Sequence, residues 1–158
     1  MTGTRVEEIL RQDAIRTMRI EPVASIPPST RLHDVVAVMQ KRRVAAVVIS
    51  EAERVVGIFT ERDLLNRIVG LALNDQLTIG EVMTPNPLTL SPDDRIADAI
   101  RLMTQHGYRH VPLVDSRGRE AGIISARDIV EFVARHYPKE VFNLPPDLRQ
   151  TPRRPEGG

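Results

Sequence analysis

The sequence predicts an α/β (α+β) fold of two β-α-β-β-α repeats, packed sheet to sheet with pseudo-twofold symmetry. Three observations carry this reading. The chain resembles itself at an offset of 64 to 65 residues. Both copies show the same succession of hydrophobic periods. Each copy, at about 60 residues, is too small to cover its own apolar faces.

The repeat is plain in two blocks. Arg31 to Met39 aligns with Arg95 to Met103 at an offset of 64. Gly57-Ile58-Phe59-Thr60-Glu61-Arg62-Asp63 aligns with Gly122-Ile123-Ile124-Ser125-Ala126-Arg127-Asp128 at an offset of 65. The extra residue falls near Ser116 to Arg119, in a turn, where an insertion costs least.

Each copy opens with a short extended segment, Val23 to Ile26 or Leu88 to Leu90, ended by Pro27 or Pro92. A helix follows. Leu32, Val35, Val36 and Met39 stand at i, i+3, i+4 and i+7, as do Ile96, Ala99, Ile100 and Met103. Asp93 and Asp94 are expected in the first turn of the second of these helices, where acid suits the dipole. Two strands come next, Ala45 to Ile49 and Val55 to Phe59, matched by His110 to Val114 and Ala121 to Ile124. Asp115-Ser116-Arg117-Gly118 is a hairpin turn. A last helix begins near Glu61 or Ala126, with Leu64, Leu65 and Ile68, or Ile129, Val130 and Val133, as its apolar stripe.

The predicted organisation is an N-terminal helix in 1–14, repeat 1 in 15–73, repeat 2 in 77–136, and a Pro/Arg-rich tail in 137–158. The tail holds five prolines from Pro138 onward with Arg149, Arg153 and Arg154. Such a composition predicts partial disorder. The short polar link Asn74-Asp75-Gln76 suits two repeats that touch.

Composition excludes several classes of function. With no cysteine, disulfides, thiol nucleophiles and zinc-thiolate sites are out. No apolar run reaches the ~18 residues of a membrane span, and Met1 to Leu10 does not read as a signal peptide. A cytoplasmic location is expected. The net charge of +1 calls for no polyanionic partner. Three Phe, two Tyr and no Trp leave little to stack bases on, which argues against nucleic acid. Of 22 basic residues only Lys41 and Lys139 are lysines. His106 and His110 are four apart, but Gly107 and a strand start between them argue against a metal pair. No catalytic triad, phosphate loop or paired-carboxylate cleft stands out, so no catalytic residue is assigned and the chain is not read as an enzyme.

The chemistry lies at the twice-used Gly-x-x-Thr/Ser-x-x-Asp. Thr60 and Ser125 sit where a strand ends and a helix begins, with unpaired N–H groups and a positive dipole end. Asp63 and Asp128 follow three residues on, and a carboxylate can accept both hydroxyls of a ribose. Arg62 and Arg127 can hold a phosphate bidentately. Hydroxyl, carboxylate and arginine together suit a ribose phosphate. The same spacing is also that of a capping box, which stabilises a helix start with no ligand at all. The two roles are compatible.

With Met83-Thr84-Pro85, Gly107-Tyr108-Arg109-His110-Val111-Pro112-Leu113-Val114-Asp115 and the doubled Gly-x-x-Thr/Ser-x-x-Asp, residues 15 to 136 resemble a tandem pair of cystathionine-β-synthase-type (CBS) domains, a Bateman module. The resemblance implies two crossed clefts between the repeats that take an adenosine phosphate. The first would use Thr60, Arg62 and Asp63 with Met83, Leu88, Tyr108, Arg109 and His110. The second would use Ser125, Arg127 and Asp128 with Arg19, Ala24, Val44, Ala45 and Ala46. Arg109 and His110 favour the first for polyphosphate, since Ala45 and Ala46 replace them in the second.

The function expected is a small regulatory, energy-sensing module. Its ligand would be an adenine nucleotide (AMP, ADP or ATP) or S-adenosylmethionine, with no catalytic cofactor. By resemblance it would form a homodimer through its helices and signal to a separate, unidentified protein. The alternative is a ligand-free structural or protein-interaction dimer.

Overall fold

The structure, a computed structural model, describes residues 5–23, 25–68 and 75–138. Ala24, Asn74 and the tail beyond Pro138 lie outside it, and so do the expectations placed on them. In chain order the elements are α1 (Arg5–Gln12), a 3-10 turn (Ile15–Thr17), α2 (Leu32–Arg42), β1 (Ala46–Glu51), β2 (Arg54–Thr60) and a single helical turn α3 (Glu61–Asp63). This turn runs into a π-helical turn (Leu64–Ile68). Then come α4 (Ile79–Val82), β3 (Thr84–Pro85), α5 (Ile96–His106), β4 (His110–Val114), β5 (Glu120–Ser125) and α6 (Ala126–His136).

β1 and β2 pair antiparallel, as do β4 and β5, each with a register shift after its hydrophobic centre, at Ile49/Ser50 and Leu113/Val114. Each extended lead segment adds one parallel bridge, Ile26 to Ile49 and Leu90 to Leu113. The opposite edge of each sheet is completed by the other repeat's lead-in. β3, which precedes α5, pairs with β2, and Glu21, which precedes α2, pairs with Ile123 of β5.

The cores follow the same exchange. Leu32, Val35 and Met39 of α2 pack with Val47, Ile49 and Phe59, and with Ile79 and Val82 from the chain ahead of repeat 2. Ile96, Ala99 and Met103 of α5 pack with Val111, Leu113 and Ile124, and with Ile15 and Met18 from the chain ahead of repeat 1. The chain therefore enters one repeat by way of the other's core. Burying two or more large side chains this way, at roughly 1.5–3 kcal/mol each, ties the repeats together as one unit.

Strand period places the second buried face. Val47 and Ile49 meet helices, while Ala46 and Val48 are buried on the reverse side of β1. Ile58 and Pro112 are buried on the facing strands β2 and β4. The hairpin tips also meet. Glu120 N–H donates to the Glu53 carbonyl at 2.9 Å, and the buried Ser50 hydroxyl donates to the Glu120 carboxylate. α1 lies against α5, with Leu10 on the second core.

Two local expectations change. Asp93 and Asp94 precede α5, whose first-turn acid is Asp98. Asp94 instead accepts from Ser91 N–H at 2.8 Å in a separate turn, and Asp93 pairs with Arg16. Leu65 and Val130, assigned to apolar stripes, are both 66% exposed. Leu64 and Ile129 carry the inward contacts of those turns.

Candidate ligand-binding clefts

Between the repeats lies a cavity of about 410 Å³, within the size range of small-molecule sites. One wall is the start of α3 with Thr60, Glu61, Arg62, Asp63 and, a turn later, Arg67. The other wall comes from repeat 2: Thr84, Pro87 and Leu88, then His106 to His110. Ile58 and Pro112 give it an apolar floor. The sequence-expected residues Thr60, Arg62, Asp63, Leu88, Tyr108, Arg109 and His110 are thus brought together. Met83 is not among the lining. Its thioether occupies the space that a side chain at Gly57 would need, and it packs on the first core. Thr84 lines the cleft in its place.

The capping reading holds in full. Asp63 N–H donates to Thr60 Oγ1 at 3.2 Å, and Thr60 N–H donates to Asp63 Oδ2 at 2.9 Å. Ser125 and Asp128 repeat this at 3.1 and 2.6 Å. The first N–H inside each helix is satisfied across the sheet, Glu61 by the Ala45 carbonyl and Ala126 by the Arg109 carbonyl. That bond puts Ala45 on the first cleft, where it lines the cavity.

Arg67 was not anticipated. Its guanidinium donates to the carbonyls of Val82 and Met83 and to Thr84 Oγ1 at 3.0–3.2 Å, and its Nε lies 3.6 Å from Asp63 Oδ1. Only the i,i+4 spacing from Asp63 could have signalled it. Arg62 crosses to repeat 2 and donates to the Gly107 carbonyl at 3.1 Å. Gly107 sits at φ +70°, ending α5 so that His106 and Tyr108 stack at 5.4 Å on the cleft wall. Arg109 is exposed, while His110 is half-buried at the head of β4. Burial pushes the His110 imidazole below its ordinary range. Asp128 and Glu61 oppose that shift, and Arg109 and Arg62 reinforce it.

The second cleft is smaller and different. A hollow of about 300 Å³ is lined by Thr17, Arg19, Glu21 and, from α6, Asp128, Glu131, Phe132, Arg135 and His136. Of the residues expected there, Arg19 and Asp128 are present. Arg19 pairs with Glu21 at 3.3 Å, and Arg127 turns outward to Glu131 at 3.0 Å. Ser125 does not line the hollow and serves as the cap of α6. Val44 packs on the first core and Ala46 is buried within β1, and neither lines it. The exchanged lead-in segments give each cleft different neighbours, which offset counting cannot see. Among the described residues no His, Asp or Glu cluster could hold a metal ion, and no helix is long and apolar enough to cross a membrane.

Comparison with known proteins shows the family. The CBS domain family matches residues 6–70 and 79–135. An uncharacterized protein of Methanopyrus kandleri is 30% identical over 83% of this chain and 63% of its own length. A CBS domain-containing protein of Arabidopsis thaliana is 35% identical over 68% of this chain but only 19% of its own, so the chain spans only part of these relatives. Among solved structures, a CBS-domain protein from Agrobacterium tumefaciens is 32% identical, with a TM-score of 0.64, covering 70% of this chain and 89% of that one. A CBS domain protein from Pyrobaculum aerophilum, complexed with AMP, is 27% identical with a TM-score of 0.68, covering 73% and 89%.

Proposed function

The chain belongs to the CBS domain family, and from that premise we propose that it is a cytoplasmic, non-catalytic regulatory module that binds an adenine nucleotide in its first cleft. The observation that carries this is the convergence of unlike groups on one cavity. Asp63 offers a carboxylate for ribose hydroxyls. Arg62, Arg67, Arg109 and His110 line the same cavity with positive or protonatable groups. Ile58, Leu88 and Pro112 offer an apolar bed of the kind a purine ring needs. The AMP complex of the Pyrobaculum aerophilum relative supports the choice of ligand class. AMP, ADP, ATP and S-adenosylmethionine remain the set to compare. A ligand held by residues of both repeats favours one relative packing of the halves, and that packing is what a partner protein reads.

A second reading has its own observation. Asp63 already has Thr60 and Arg67, and Arg62 already has Gly107. A cleft so satisfied can serve a ligand-free interaction module. Calorimetric titration of AMP against wild type and Asp63→Ala separates the two. Binding that weakens at least tenfold in the variant, about 1.4 kcal/mol, is expected. Equal affinities would overturn the assignment of Asp63, and no heat with any of the four ligands would leave the interaction module.

A further inference from the structure

His110 stands apart from the other cationic groups of the first cleft because it can change its charge near neutral pH. It lines the cavity, it is half-buried, and in the β4–β5 ladder it lies directly opposite Ser125, the cap of α6. The charged groups that act on it come from every element around it. Glu61 and Arg62 belong to α3, Arg109 to the turn before β4, and Asp128 to α6. Partial burial, reinforced by Arg109 and Arg62, favours the neutral ring. A phosphate entering there offsets the arginines and supplies an acceptor for a ring N–H. The balance then reverses, with Glu61 and Asp128 already favouring the cation.

Resting on the nucleotide reading above, we infer that an anionic ligand enters the first cleft together with a proton, which passes from solvent to the free ring nitrogen of His110. No bond other than this N–H forms. Occupancy of the cleft is thereby linked to pH, and affinity climbs as pH falls through the neutral range, by at most about tenfold per unit for one proton. Asp128, one of the two acids that act on the imidazole, lines the second hollow. The proton thus carries the state of one cleft to the acid of the other.

The test is calorimetric titration of AMP at about pH 7 in two phosphate-free buffers that differ in ionisation enthalpy. The dependence of the heat on buffer counts protons. Subtracting the uptake of His110→Gln removes the part of the phosphate's own proton change that both proteins share, so the difference reports His110. Wild type taking up as much as one proton more than the variant is expected. Equal uptake overturns the linkage while leaving nucleotide binding intact. Failure of AMP, ADP, ATP and S-adenosylmethionine alike to bind wild type removes the nucleotide reading and the linkage with it. Should the variant bind too weakly for heats, an NMR titration of the His110 ring with and without AMP decides. A midpoint raised by AMP supports the linkage, and an unmoved one overturns it.

Discussion

At the residue scale the two glycines at matching positions in β2 and β5 carry different burdens. Gly57 and Gly122 both face a side chain of the exchanged lead-in, Met83 and Ile20 respectively. A Cβ at Gly57 meets the Thr84 carbonyl at 3.2 Å and a flexible thioether, which can move aside. At Gly122 it meets branched Ile20 and the Glu21 carbonyl, and the backbone there has φ +138°, a region L side chains rarely adopt. Gly122→Ala is therefore expected to cost about 2 kcal/mol, and Gly57→Ala less than half of that. Urea unfolding midpoints measure both, and equal shifts would contradict the argument. The same unequal surroundings act on the two aspartates. Asp63 faces Arg67, whereas Phe132 stands at the matching position beside Asp128. One motif, used twice, thus has two electrostatic settings.

At the scale of elements the exchange of lead-in segments governs stability. Ile79 is fully buried, beside Val82, in a core whose other buried members come from repeat 1, although both follow that repeat in the chain. Ile79→Ala should cost about 2–5 kcal/mol, the usual range for a large aliphatic side chain removed from a tight core. Unfolding should stay a single transition, because no core is built from one repeat alone. Native-state hydrogen exchange gives the sharper check. Protection is expected to fall in β1 and β2, and a loss confined to α4 would refute the exchange. The π turn after α3 belongs to this scale too. It brings Arg67 back toward Asp63 and the Val82–Thr84 segment, and it leaves Leu65 outside.

At the scale of the whole molecule, Leu65 and Val130 stand 65 residues apart at equivalent places after the two capped helix starts, and each is 66% exposed. Two large aliphatics displayed symmetrically suit the self-complementary face of a homodimer. The homodimer expected from the family resemblance would use them. Sedimentation at micromolar concentration should show a dimer for wild type and a monomer for Leu65→Asp/Val130→Asp. A wild-type monomer, or a variant that still dimerises, would remove the proposal. Leu65 and Val130 each follow the capping residue, Thr60 or Ser125, by five residues, so a change in packing between the repeats would move the proposed face too.

The sequence by itself determined the repeat, its helices and its paired strands. Leu32, Val35 and Met39, with Ile96, Ala99 and Met103, report their inward faces through local period alone, and both copies report the same answer. It also determined the capped Thr60–Asp63 and Ser125–Asp128 pairs, because a capping box closes within four residues. Only the tertiary structure decided which repeat receives Ile15 and Ile79, that Arg67 reaches Asp63 and Thr84, and that Ala45 serves the first cleft rather than the second. Those facts depend on where the chain crosses between halves. The crossing is set by the packing of two sheets against each other, and contacts so far apart in sequence leave no period or spacing to read.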